Sequence, residues 1–433
     1  MKTISFNEGW KYAHLGINDW KEVTLPHDAM ISENRTAYSA GGTNTGWVEA
    51  HDYEYVKDFT VPTDWREQGI NIEFEGVYHN AEVFLDGESM PAHPNGYFGF
   101  SVPVTEGDHT IRVIAHNADQ PNSRWYSGAG IYRPVSLVLL PKKHICPESI
   151  VIKTLDWRTK KVSAAFSTTD GGKAAVRILD GDKVLEVRFG IRSVEVDAKN
   201  GFRINGKREL LLGACIHHDN GILGSVGHPF AERRKIAILK KAGYNAIRSA
   251  HNPVSKAILN ACDELGVMVL DEYVDMWYIH KTQYDYANYF ENNWKNDLRR
   301  IVEKDRNHPS VVLYSIGNEV SETAQPKGIE LAGQMHDYLQ SLDDRPVTSG
   351  INIFFNFLSS MGFGVYSDDK AQAEAAKAEK SKGKAKKKSV GSEFINNVAG
   401  LMGAGFMKFG ANLHGSDVKT RDAFARLDVA GYN

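Results

Sequence analysis

Two hydrophobic periods divide the chain. From Trp10 to about Leu140, apolar and polar residues alternate in short runs, Tyr53 to Val61, Ile70 to Phe74, Ala81 to Leu85 and Thr110 to Ala115, separated by Gly, Asp, Asn and Pro. Alternation at period two between turn residues predicts antiparallel strands with one buried face, and hence a β-sandwich. Asp86-Gly87 adds a hairpin signal, because tight hairpin turns require positive φ. Pro141-Lys142-Lys143 reads as a linker. Residues 144–198 then carry strand-like segments at Ser149 to Ile152, Ala174 to Leu179 and Glu186 to Phe189. That stretch is about half of an ordinary sandwich of ~100 residues.

Beyond residue 199 strands and helices take turns. Strand candidates Leu210 to His217, Asn245 to His251, Met268 to Tyr273, Ser310 to Glu319 and Pro346 to Asn352 alternate with helical stretches near 231–242, 254–265, 289–306 and 327–341. Strict alternation predicts β/α units on a parallel sheet, with a closed (β/α)8 barrel as the leading arrangement. Leu427 to Asn433 reads as one more strand. The pattern then stops two strands short of closure, which would leave open edges. The expected domains are 1–143, 144–198 and 199–433.

Polar groups gather where these strands end. His217-His218-Asp219 follows the first, Arg248 and His251 the second, Asp271-Glu272 the third and Asn318-Glu319 the fourth. In a parallel barrel such positions share one rim, where active sites assemble. The apolar run Val311-Val312-Leu313-Tyr314-Ser315-Ile316 ending in an amide and a carboxylate places Glu319 like a catalytic acid. The plainer alternative is that Asn-Glu caps the next helix. His217 or His218 fits equally a satisfied core histidine, and Arg248 a buried partner of Asp271 or Glu272. Adjacent strand residues point to opposite faces, so His217 and His218 do not readily share an ion. Trp125, Tyr126, Tyr132, Trp277 and Tyr278 suit either sugar faces or interdomain packing.

Composition excludes several classes. The 433 residues carry a net charge of -3, with 42% hydrophobic content, which gives no general attraction to nucleic acid or an anionic membrane. Asp368 to Ser389 holds eight lysines but no aromatic residue to stack bases, and is expected to be a solvated loop or frayed helix. Cys146, Cys215 and Cys262 lack Cys-x-x-Cys spacing, so neither a disulfide framework nor a zinc site is indicated. No stretch has the form of a signal peptide or membrane span, so a cytoplasmic location is expected. There is no Gly-rich phosphate loop and no Gly-x-Ser-x-Gly elbow.

With these residues in hand, the chain resembles glycoside hydrolase family 2, the family of bacterial β-galactosidases and β-glucuronidases. The likeness rests on Leu25-Pro26-His27-Asp28, Phe74-Glu75-Gly76-Val77, Asn122 to Arg133 with its Ser-Arg-Trp-Tyr core, and Phe189-Gly190-Ile191-Arg192. It continues through Gly213 to His217, Arg248-Ser249-Ala250-His251-Asn252-Pro253, Asp271-Glu272 and Gly317-Asn318-Glu319-Val320.

The resemblance implies a jelly-roll sugar-binding domain, a shortened immunoglobulin-like sandwich and a catalytic TIM barrel, incomplete at its C-terminal end. It implies a retaining exo-β-glycosidase with Glu319 as general acid/base, Asn318 bonding the 2-hydroxyl, and His217 and His251 lining the glycone pocket. A β-galactosidase is favoured, with β-glucuronidase as the alternative and a non-catalytic carbohydrate-binding protein as the reading from another class. The partner is then a small or oligomeric β-glycoside, with no nucleic acid or membrane, and homo-oligomerisation stays open. The family nucleophile is a glutamate expected beyond Asn433; Glu393 in Gly391-Ser392-Glu393-Phe394 is a weak substitute. No cofactor or metal is expected, because the family's Glu-x-His magnesium positions fall on Met276 and Tyr278.

Overall fold

The computed structural model describes residues 1–142, 144–167, 187–360 and 414–433. Residues 1–142 form two antiparallel sheets from ten strands: β1 (Lys2–Ser5), β2 (Trp10–His14), β3 (Lys21–Val23), β4 (Tyr53–Val61), β5 (Gln68–Phe74), β6 (Ala81–Leu85), β7 (Glu88–Ser89), β8 (Phe100–Val104), β9 (Gly107–Ala115) and β10 (Val135–Pro141). One sheet has the order β1-β10-β5-β8 and the other β3-β2-β4-β9-β6-β7. Their inner faces bury Trp10, Tyr55, Ile72, Phe74, Val83 and Ile111. Each such side chain contributes about 1.5–3 kcal/mol. Asp86 and Gly87 have φ of 53° and 84°, so the hairpin between β6 and β7 turns where the Asp-Gly pair predicts.

The second region departs from expectation. It contains the hairpin β11 (Val151–Asp156) with β12 (Lys161–Ala165), then a small sheet of β13 (Val194–Glu195), β14 (Arg203–Ile204) and β15 (Lys207–Arg208). The expected boundary at 198/199 lies inside the β13–β14 pairing. Ala174 to Leu179 and Glu186 lie outside the described residues, and Val187 to Phe189 have no regular structure.

Six parallel strands follow in sequence order: β16 (Gly213–Ile216), β17 (Ala246–Ser249), β18 (Met268–Glu272), β19 (Val311–Asn318), β20 (Val347–Ile351) and β21 (Gly431–Tyr432). Helices α1 (Pro229–Lys241), α2 (Lys256–Leu265), α3 (Ala287–Asp305), α4 (Pro326–Leu342), α5 (Ile353–Ser360) and α6 (His414–Phe424) connect and cover them. All eight residues of β19 are buried, as in a sheet covered on both faces. Helix α3 turns Phe290, Trp294, Leu298 and Ile301 toward this core at helical spacing;. α2 begins with the Ser255 side chain accepting from the Ile258 amide and ends at Gly266 with φ 66°, a matched pair of stop signals. β16 is shorter than the run Leu210 to His217, because Leu210 and Leu212 stay in solvent. The lysine-rich segment and Glu393 lie outside the described residues.

Candidate active site

Register sets the rim. Ile216 pairs with Ser249, Arg248 with Leu270, Glu272 with Ser315, and Asn318 with Gly350. The chain therefore delivers Arg248, Glu272 and Asn318 to one end of the sheet, with His217, His251 and Glu319 just beyond it.

Glu272 is the electrostatic centre. It is fully buried, and its Oε2 accepts from Arg248 Nε at 3.0 Å, Arg248 Nη2 at 2.8 Å and Ser315 Oγ at 2.6 Å. Its Oε1 lies 2.7 Å from His251 Nδ1. Burial alone would raise its carboxyl, yet the His251 hydrogen bond and the Arg248 charge hold it below the usual range;. Arg248 thus pairs with Glu272, not Asp271. Asp271 points to the opposite face, as alternation requires, and accepts from Ser249 Oγ, the Val254 amide and Lys304 Nζ.

Asn318 is fixed on every side. Its Oδ1 accepts from Arg248 Nη2 at 2.8 Å and Asn433 Nδ2 at 3.1 Å, its Nδ2 donates to Asp275 at 2.9 Å, and its carbonyl accepts from Lys281 Nζ. One Nδ2 hydrogen is left over, since an amide carries two. Glu319 follows with φ 45°, a left-handed conformation rare for a residue with a Cβ and concentrated at functional sites. Its backbone N–H donates to Gly350 O, and its Oε1 accepts from Asn352 Nδ2 at 2.9 Å. It caps nothing. Val320 precedes the 3-10 turn Ser321–Ala324, without a side-chain cap bond.

The sandwich closes over this rim. Arg124 donates to both oxygens of Asp275, from Nε at 2.7 Å and Nη2 at 2.6 Å. Asp275 also accepts from Lys281. Burial would raise Asp275, but the charges of Arg124 and Lys281 hold it far below the ordinary range. The next residue, Trp125, packs on His217 at 5.1 Å and His251 at 5.6 Å between ring centroids, while the two imidazoles meet edge to face at 5.7 Å. Burial, then the neighbouring His251, lowers His217, which keeps that ring neutral. Glu319 adds its charge to the surroundings of both Arg124 and Lys281, so Arg124-Trp125 spans from the acid to the histidine pair.

The other aromatic candidates are structural. Trp277 is fully buried, donating to Ile316 O. Tyr132 donates to Gly96 O, Tyr126 to Asp28, and Tyr278 stands beside Lys327. His218 is the core histidine of its pair. Its Nε2 lies 3.0 Å from Ser127 O, and burial pushes it down to about 3. Asp275 and Lys281 were not singled out from sequence, although Asp275 stands three positions after Glu272.

A barrel with polar strand ends and a sandwich loop across its mouth defines a class, and comparison with known proteins gives the family. Residues 194–415 match the description "Glycosyl hydrolases family 2, TIM barrel domain" and residues 17–128 "Glycosyl hydrolase 2 galactose-binding domain-like". The chain belongs to glycosyl hydrolase family 2. It is 32% identical over 395 residues to beta-galactosidase BoGH2A of Bacteroides ovatus, covering 73% of this chain and 46% of that protein. It is 29% identical over 392 residues to a putative beta-glucuronidase of Formosa agariphila, covering 75% and 38%. A crystal structure of a glycosyl hydrolase family 2 member from Bacteroides cellulosilyticus superposes with a TM-score of 0.77 at 27% identity, covering all of this chain and 59% of that one. The chain thus spans less than half the length of the two curated relatives.

Proposed function

We propose that this chain carries the acid/base machinery of a retaining exo-β-glycosidase acting on terminal β-linked sugars, β-galactosides first. The observation that carries the proposal is Glu319. It is a partly exposed carboxylate at the mouth of a fully buried strand, in a left-handed conformation, with one hydrogen bond to Asn352 and both Arg124 and Lys281 near it. Glu319 protonates the departing oxygen while a second carboxylate ~5–5.5 Å away attacks the anomeric carbon, and then takes a proton from water. Glu272 and Asp275 do not suit the attacking role, because both oxygens of each are already bonded. The spare Nδ2 hydrogen of Asn318 suits a sugar 2-hydroxyl, and His217, His251 and Trp125 suit the rest of the glycone. A β-glucuronide is the second reading, favoured by the names of several relatives. Against it, Arg124, Arg248 and Lys281 are each committed to a protein carboxylate, which leaves none of them free for a uronate.

The test is Glu319→Gln in the full-length protein, with a panel of galactosides and glucuronides. Loss of about 10²–10⁴-fold is expected on alkyl or sugar leaving groups, with far less on nitrophenyl glycosides that need no acid. An active-site fluoro-sugar that traps the glycosyl-enzyme, followed by peptide mapping, names the nucleophile. Equal loss on both leaving-group classes, or sugar binding without turnover by the unsubstituted full-length protein, overturns the proposal.

A further inference from the structure

A second polar cluster lies on the sandwich, away from the barrel rim. His14 closes β2 and pairs across the sheet with Tyr53. His51 stands two residues before Tyr53, and Glu33 ends the 3-10 turn Ala29–Ser32 on the long excursion between β3 and β4. One donor atom from each of His14, Glu33 and His51 comes within 4.8 Å of the others. His14 Nε2 is 3.0 Å from Glu33 Oε1, and His51 Nε2 is 3.8 Å from Glu33 Oε2. We propose that these three side chains form a zinc site, with water as the fourth ligand.

The geometry favours a metal over a plain ion-pair cluster in two respects. First, 3.8 Å is too long for a hydrogen bond. It lies a little beyond the about 3.3–3.6 Å that zinc bonds of 2.0–2.2 Å set between tetrahedral neighbours, so a small inward shift of His51, with the 3.0 Å His14–Glu33 hydrogen bond giving way, seats both on one ion. Second, His14 Nδ1 lies 2.7 Å from Asp19 Oδ2, and the His14 backbone N–H donates to the other Asp19 oxygen. A carboxylate on the far nitrogen is the usual support of a metal-bound imidazole, fixing its tautomer and raising its basicity. The buried Tyr53 ring stands behind the cluster, 5.5 Å from His14 and 6.3 Å from His51. Among the described residues, neither Asp19 nor Glu33 is paired with a lysine or arginine. Two carboxylates around two imidazoles leave negative charge for a dication to neutralise. The donor set of two imidazoles and a carboxylate suits zinc ahead of magnesium or calcium.

The site would act as a clamp. Side-chain exposures of 23% for His14, 14% for Glu33 and 45% for His51 give an ion a path from solvent. Glu33 is five residues from Asp28, whose carboxylate accepts from Tyr126 Oη and from the Ala129 and Ser225 amides. Pinning Glu33 to β2 and to the segment that leads into β4 therefore steadies the excursion that ties the sandwich to the barrel at Ser225.

The probe is zinc chloride titrated calorimetrically into the chain after dialysis against a chelator, with thermal unfolding in zinc and in chelator. One saturable equivalent per chain and an upward shift of the midpoint by several degrees are expected. His51→Gln and Glu33→Gln each weaken binding at least tenfold, and Asp19→Asn about tenfold or more. His51 is the most exposed of the three, so its variant keeps the fold. Replacing zinc by cobalt gives an independent reading: intense visible bands of a four-coordinate ion, absent in His51→Gln. Absence of saturable binding up to about 100 µM zinc overturns the proposal. So does binding, or a cobalt spectrum, that survives both His51→Gln and Glu33→Gln.

Discussion

At the scale of single residues, the site is made by carboxylates whose surroundings differ sharply. Glu322 lies three positions after Glu319, in the 3-10 turn, yet it is buried, accepting from the Ile279 amide at 2.8 Å. Burial pushes its carboxyl up to about 7. The folded protein therefore holds a proton there that the unfolded chain gives up near 4.5, so this group lowers stability as pH rises from about 4.5 to 7. Glu322→Gln is expected to stabilise the protein by up to about 3 kcal/mol above pH 7 and to be neutral below pH 4.5. Urea titrations at pH 4.5 and 8 measure it. Sequence made Glu319, Asn318, His217 and His251 legible because each ends a recognisable strand. Asp275 and Lys281 escaped notice because they sit in the irregular stretch after β18, where no periodicity marks which side chains turn inward.

At the scale of elements, the strands of the barrel were visible as apolar runs and their helices as 3.6-residue stripes, to within a few residues at each end. β16 was overestimated because an apolar Leu210-Leu211-Leu212 run looks like strand when its exposure is unknown. What periodicity could not convey is how tightly neighbouring strands approach. A Cβ on Gly350 would stand 2.5 Å from Arg248 Nη2 and 3.4 Å from Asn318 Oδ1. Arg248 cannot swing aside without leaving Glu272. Gly350→Ala is expected to cost about 1–3 kcal/mol and, through the displaced Asn318 amide, to lower kcat/KM of the proposed hydrolysis. Denaturant midpoints and steady-state kinetics on one preparation check both effects.

At the scale of the whole molecule, the sandwich is part of the site. Arg124 with Asp275, Arg133 donating to Pro253 O, His218 at Ser127 O and Asp28 at the Ser225 amide all cross from sandwich to barrel. Removing Arg124 as Arg124→Ala leaves Asp275 buried with Lys281 and the Asn318 amide but without its bidentate partner, and a broken buried pair costs about 3–5 kcal/mol. Asp275 is held below its unfolded value, so its contribution is complete above pH 4 and is lost as pH falls through the folded value. Arg124→Ala should therefore unfold at a higher pH during acid titration, followed by circular dichroism. Contacts such as these were not legible in the sequence, since nothing local marks a pair 151 positions apart.

That separation also has a consequence in time. A ribosome adding about 5–20 residues per second exposes Arg124 roughly 8–30 s before Asp275 is made, the two being 151 positions apart. During synthesis the nascent sandwich therefore waits with this guanidinium in water until the segment that carries Asp275 has been made.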